Sequence, residues 1–147
     1  MKKITILHLS DAHMSIRHTD VIAERITAVC AALSKEQLSP NIIAFTGDAA
    51  YSGKEHEYHL FYDKVVRPML TTFSISPENF VIVPGNHDVD RDKIDSLQQA
   101  GLSNFVSKPE EMDDIWRKMD QRLKLLSRQE SFVNFTKQNH LTSTSRV

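Results

Sequence analysis

Three short apolar, β-branched runs in this chain each end in residues that can hold a metal ion or move a proton. Ile4-Thr5-Ile6-Leu7-His8-Leu9 leads into Ser10-Asp11-Ala12-His13, Ile42-Ile43-Ala44-Phe45 into Thr46-Gly47-Asp48, and Phe80-Val81-Ile82-Val83 into Pro84-Gly85-Asn86-His87-Asp88. The stretches between them carry helical periodicity. Ile22, Ile26, Val29 and Leu33 share one face within Asp20–Leu38, and Tyr58, Phe61, Val65 and Met69 share one side of a second segment. Strand, helix, strand, helix, strand restricts the chain to right-handed crossovers and a parallel sheet, so the fold class is α/β. Continuous apolar runs predict strands covered on both faces. All three motifs then fall at the carboxyl edge of one sheet, where open α/β sheets bind ligands. Residues 11, 48 and 86 become neighbours despite their separation in sequence.

Local signals set the boundaries. Ser39-Pro40-Asn41 breaks the first helix, and Ser52 with Glu55 has capping-box spacing at the start of the second. Pro68 should end or kink that helix near Arg67. After Asp88 the pattern turns helical, with a short helix around Ile94–Ala100 and a long one opened by Pro109. The apolar stripe of the long helix is Met112, Ile115, Trp116, Met119, Leu123 and Leu126, continued by Phe132 and Phe135 towards Gln138. Such a stripe is first a packing face. Thr142-Ser143-Thr144-Ser145 reads as a frayed polar tail, and no fourth strand is predicted. Residues 1–90 therefore form a partial core carrying the three motifs, and residues 91–147 a mainly helical extension or insertion of the same domain.

Forty per cent apolar and 25% charged residues in 147 fit one globular domain rather than a disordered chain. A net charge of −1 argues against a non-specific nucleic-acid coat but leaves room for a local basic groove. The single Cys30 excludes an internal disulfide, suits a reducing compartment and, between Val29 and Ala31, reads as a small core residue. The run after Met1-Lys2-Lys3 is too short, and too polar at His8, for a signal peptide. No segment approaches the roughly 18 apolar residues of a membrane span, so a cytoplasmic protein without a membrane partner is expected.

Asp11 and His13 lie two residues apart, so on an extended chain their side chains point the same way and can chelate one cation. Alone, that pair is also an ordinary cap beside a surface histidine, and Gly47-Asp48 is ordinary turn chemistry. Gly85-Asn86-His87-Asp88 is more specific: a Gly that lets the backbone turn, then an amide oxygen, an imidazole and a carboxylate. His8 shares parity with Ile4 and Ile6 and reads as a core or supporting residue. His18, His56 and His59 read as surface residues, and His140 follows a helical stretch.

Together, Asp11-Ala12-His13, Gly47-Asp48 and Gly85-Asn86-His87-Asp88 resemble the calcineurin-like metallophosphoesterase family. The resemblance implies the βαβαβ half of an αββα sandwich and two divalent ions. Asp11 and His13 would bind the first ion, Asp48 would bridge, and Asn86 would bind the second. His87 would stay off the metals as acid or charge stabiliser near the leaving group, with Asp88 orienting it. Mixed oxygen and nitrogen donors favour manganese, iron or zinc over calcium without choosing among them, and manganese is the first expectation. Protein phosphatases of the family usually carry Arg shortly after the second motif and Glu after Asn-His. Ala49-Ala50-Tyr51-Ser52-Gly53 and Asp88 depart from both, which favours the phosphodiesterase and nuclease branches and a nucleic-acid or nucleotide substrate. The strings HLSDAH, TGDAAYSG and VPGNHDVDR look like long bacterial proteins with further domains downstream. The family pattern continues with a strand-ending His and a Gly-His-x-His, whereas only His140 follows His87 here. The expectation is a fragment of a longer hydrolase, weak or inactive alone and completed by its carboxyl-terminal half, further domains or a second copy. A phosphomonoesterase, or a non-catalytic assembly module with a degenerate metal site, are the competing readings.

Overall fold

The three apolar runs form adjacent parallel strands in the computed structural model, which describes residues 3–93 and 117–143. In chain order the elements are β1 (Ile6–Leu9), α1 (Thr19–Lys35), β2 (Ile42–Thr46), α2 (Glu55–Phe61), α3 (Arg67–Phe73), β3 (Phe80–Val83), α4 (Met119–Leu126), α5 (Glu130–Gln138) and β4 (Thr142–Ser143). The sheet order is β1-β2-β3-β4, with Ile6 opposite Ile42, Ile43 opposite Phe80 and Thr46 opposite Val83. The α/β class and the parallel sheet are as the sequence predicts.

β4 is a correction. Thr142 and Ser143 pair in parallel with Val81 and Ile82, where the sequence suggests a frayed tail. His140 adopts a left-handed φ of 55°, Leu141 N–H bonds back to the Thr136 carbonyl at 3.0 Å, and buried Leu141 anchors the strand. The Thr142 hydroxyl then donates to the Glu78 carbonyl at 2.6 Å. A polar strand of two residues has no periodicity to betray it.

Coverage of the sheet is a second correction. Ile43, Phe45, Phe80 and Ile82 face the helices and are buried. Ile4 and Ile6 on the other parity are 66% and 59% exposed, so among the described residues only one face is covered. His8 lies on that open side, exposed, with Nε2 2.7 Å from the Thr46 hydroxyl, and is not a core residue.

The covered face is filled from three directions. Ile22, Ile26 and Cys30 of α1 are buried, with Val29 and Leu33 packed against them. Burial also pushes the Cys30 thiol pKa up. Tyr58, Phe61, Val65 and Met69 are all buried on the stripe that the sequence marks out. Pro68 does not end this helix. A wide π-helical turn over Tyr62–Val66 precedes it, and Pro68 sits in the first turn of α3, where its missing N–H costs little. Ser52 pairs not with Glu55 but with buried Glu57, whose carboxylate accepts the Ser52 and Lys54 N–H groups and the Ser52 hydroxyl.

The long carboxyl-terminal helix is broken by a 3₁₀ turn over Ser127–Gln129. Met119 and Leu123 are exposed on α4, whereas Phe132 and Phe135 of α5 are buried. The Phe135 ring stacks on Tyr58 at 5.2 Å and meets Phe61 edge-on at 6.0 Å, while Phe61 meets Phe45 of β2 at 4.9 Å. Pro109, Met112, Ile115, Trp116 and the helix expected at Ile94–Ala100 lie outside the described residues. No helix among those described is long and apolar enough to cross a membrane. Because Phe61 joins the sheet to α5, Phe61→Ala should cost about 3–5 kcal/mol of unfolding free energy in a urea titration. A loss below about 1 kcal/mol would show that α5 is not part of this core.

Candidate metal centre

The loops after β1, β2 and β3 are laced together by their backbones. Asp11 N–H bonds to the Gly47 carbonyl (3.1 Å), His13 N–H to Asp48 (2.9 Å) and Met14 N–H to Ala49 (2.9 Å), and Tyr51 N–H returns to Met14 (3.1 Å). Met14 and Ala50 thereby form an isolated parallel bridge beyond the sheet proper. Asp11, His13 and Asp48 all take left-handed φ values, 59°, 45° and 57°. The extended geometry expected for Asp11-x-His13 is thus replaced by a coiled loop. Asp and His tolerate this region better than most residues, and such strain, of order 1–3 kcal/mol each, concentrates at binding sites.

Glycines let the second and third loops touch. A Cβ on Gly85 would lie 2.2 Å from Asp48 Oδ1, and one on Gly47 (φ 100°) would lie 3.1 Å from Gly85 Cα. Through that approach His87 N–H donates to Asp48 Oδ1 at 2.9 Å, so Asp48 is oriented by the third motif's backbone.

Asp88 does not orient His87, as the sequence led us to expect. Its fully buried carboxylate is taken up by other donors: Ala50 N–H (2.9 Å) and the Tyr58 hydroxyl (3.1 Å) on Oδ1, Gly85 N–H (2.9 Å) and Ala49 N–H (3.2 Å) on Oδ2. Burial and the adjacent Asp88 charge push the Tyr58 phenol pKa far above its usual range, which keeps it a donor. The His87 ring is held instead by the Tyr51 carbonyl, 2.7 Å from Nδ1. A carbonyl can only accept, so Nδ1 carries a proton and neutral His87 has its lone pair on Nε2. Neither Tyr58 nor the Tyr51 carbonyl is legible as a site group in the sequence, since one lies on an apolar helix stripe and the other is backbone.

The side chains converge above these loops. Ligand atoms of His13, Asp48 and His87 all lie within 4.8 Å of one another. His13 Nε2 is 3.6 Å from Asp11 Oδ1 and 3.9 Å from Asp48 Oδ2, and its ring lies edge-on to His87 at 4.6 Å. Two imidazoles and a carboxylate at that separation suit a divalent transition metal. Asp11 borders the cluster through His13, and Asn86 is exposed between Gly85 and His87. The structure thus draws His87 into the group that the resemblance assigns to Asp11, His13 and Asp48.

A second set of contacts pins the end of the third loop. Gly53 (φ 71°) sits against the backbone of residues 88–90, where a Cβ would come within 2.7 Å of Asp90 N. Lys54 Nζ bonds Asp90 at 2.6 Å and Asp92 at 2.7 Å, which raises the Lys54 pKa and lowers that of Asp92. Asp90 N–H donates to the Arg128 carbonyl at 2.9 Å and ties this loop to the turn before α5.

A parallel α/β sheet thus gathers at its strand ends a His-Asp-His cluster that could hold a metal ion. The profile of the calcineurin-like phosphoesterase family matches residues 4–141, well past the third motif, and the chain belongs to that family. That family is one of metal-dependent phosphoester hydrolases. The chain is also similar to an uncharacterized metallophosphoesterase-like protein, YydB of Bacillus subtilis (strain 168), at 26% identity over 137 residues. That match covers 90% of this chain and 27% of the relative, so the chain spans about a quarter of its length.

Two substitutions separate the clamp from the cluster. Asp88→Asn turns an acceptor of four hydrogen bonds into one that places N–H against N–H, and should cost about 1.5–3 kcal/mol in thermal or urea unfolding. Gly85→Ala should lower manganese affinity at least about tenfold in calorimetric titration, because its Cβ displaces the Asp48 carboxylate. Unchanged affinity in Gly85→Ala would contradict the role of Asp48.

Proposed function

We propose that this chain carries the metal-holding part of a phosphodiester hydrolase of the phosphodiesterase or nuclease type, acting on a nucleotide or nucleic acid. The convergence of His13, Asp48 and His87 at the ends of parallel strands is the observation that carries the reading. Asp11, His13 and Asp48 would hold one divalent ion, manganese first and iron or zinc as alternatives, while Asp48 and Asn86 would begin a second site. Bound there, a pair of ions would activate a water and neutralise the phosphoryl oxygens.

The chain's own groups do the rest. The Tyr51 carbonyl holds the His87 ring by its Nδ1–H, so Nε2, once protonated to the imidazolium, would hand its proton to the departing oxygen and return to the neutral ring. Asp88 acts on that step only through the backbone it holds in place. Among the described residues no further His, Cys, Asp or Glu joins the cluster. Slow turnover by the chain alone is part of this proposal, with further ligands to the second ion coming from more of the same protein or from a second copy.

Manganese titrated into the chain should bind with a stoichiometry of about one, and Asp48→Asn should abolish it. Residual hydrolysis of bis(p-nitrophenyl) phosphate should exceed that of p-nitrophenyl phosphate and fall roughly 100-fold or more in His87→Ala. Binding indifferent to Asp48→Asn, or a preference for the monoester, contradicts the reading.

A further inference from the structure

One wall of the candidate centre is shared with a separate cleft of about 240 Å³, lined by Tyr51, Ser52, Lys54, His87, Val89, Asp90, Arg91 and Asp92. It is smaller than the ~300–1,000 Å³ of sites that enclose a drug-sized ligand, and so suits one substituent of a larger substrate. His87 lines this cleft and also belongs to the candidate cluster, so with His87 as the acid of the proposed reaction an occupant of the cleft would be carried on the leaving side of the ester.

Tyr51 is built to meet that substituent. Its side chain belongs to a residue that is 53% exposed, yet its backbone is fixed at both ends: its N–H bonds to Met14 and its carbonyl to His87. The ring centroid lies 5.7 Å from that of His87, tilted by 43°. An exposed ring on an immobilised backbone is a stacking surface that loses little entropy when it is covered. The cleft's charges differ in availability. Lys54 is neutralised by Asp90 and Asp92, whereas exposed Arg91 makes no ion pair among the described residues and can face the phosphate or the π-face of a ring.

Building on the phosphodiesterase reading, we propose that Tyr51 is a specificity-determining residue whose ring stacks on a planar aromatic group, a nucleobase in chemical class, carried by the leaving side of the ester. Stacking of a base on an aromatic side chain is sequence-tolerant, so both a free nucleotide and a single strand present the required chemistry.

The test compares adenosine 5′-monophosphate with ribose 5-phosphate, which share the phosphate and sugar and differ in the base, in calorimetric titrations of the manganese-loaded chain. The nucleotide should bind about 5- to 150-fold more tightly. Tyr51→Ala should remove that advantage while Tyr51→Phe keeps it, with far-ultraviolet circular dichroism confirming that both variants fold. A loss of affinity for both ligands in Tyr51→Ala would mean a merely structural tyrosine and overturn the proposal. Equal affinity of the wild type for the two ligands would overturn it while leaving the hydrolase reading intact, and binding of neither ligand would overturn both. A thymidylate tetranucleotide then distinguishes sources, since affinity above that of the mononucleotide assigns the cleft to a strand, and equal affinity assigns it to a free nucleotide.

Discussion

The buried carboxylate of Asp88 is the point on which the site depends. It collects the N–H of Gly85 from its own loop, the N–H groups of Ala49 and Ala50 from the loop after β2, and the hydroxyl of Tyr58 from α2. A buried charge is tolerable only when its lone pairs are filled, and four donors fill these. The consequence is positional. With the second and third loops clamped, Met14 pairs with Ala50, which fixes the first loop as well. Asp11, His13 and Asp48 can then be held in left-handed conformations that an unsupported loop would leave.

The glycines make that clamp possible by removing bulk where backbones meet. Gly85 admits Asp48, Gly47 admits Gly85, and Gly53 admits residues 88–90. The aromatic cluster of Phe45, Phe61, Tyr58 and Phe135 sits beneath, so the group that donates to Asp88 is itself seated in the core. Candidate ligands above, a hydrogen-bonded layer at the loop bases and an aromatic layer below form one continuous support.

Periodicity made most of this fold legible. Long stripes such as Ile22–Leu33 and Tyr58–Met69 mark helices because many residues vote together, and three apolar runs ending in polar motifs mark parallel strands. The same signal fails where few residues decide. β4 rests on two polar residues, a left-handed His140 and one buried leucine. The break in the carboxyl-terminal helix comes from a single 3₁₀ turn, and the open face of the sheet looks in sequence like a buried one, since Ile4 and Ile6 are as apolar as Ile43. At the site, residue types marked Asp11, His13, Asp48, Asn86 and His87 as candidates, of which the fold gathers His13, Asp48 and His87 into one cluster. They could not assign Asp88, because whether a carboxylate orients an imidazole or caps backbone N–H groups depends on which donors the loops bring to it.

A crystal of the chain soaked in manganese and measured at the manganese absorption edge tests the central claim directly. Anomalous density bonded to Asp48 and His13, with Asp88 still holding the Ala49, Ala50 and Gly85 N–H groups, is the expected result. Density absent from the His13, Asp48 and His87 cluster, or Asp88 itself ligating the ion, would contradict a site organised around a buried structural carboxylate.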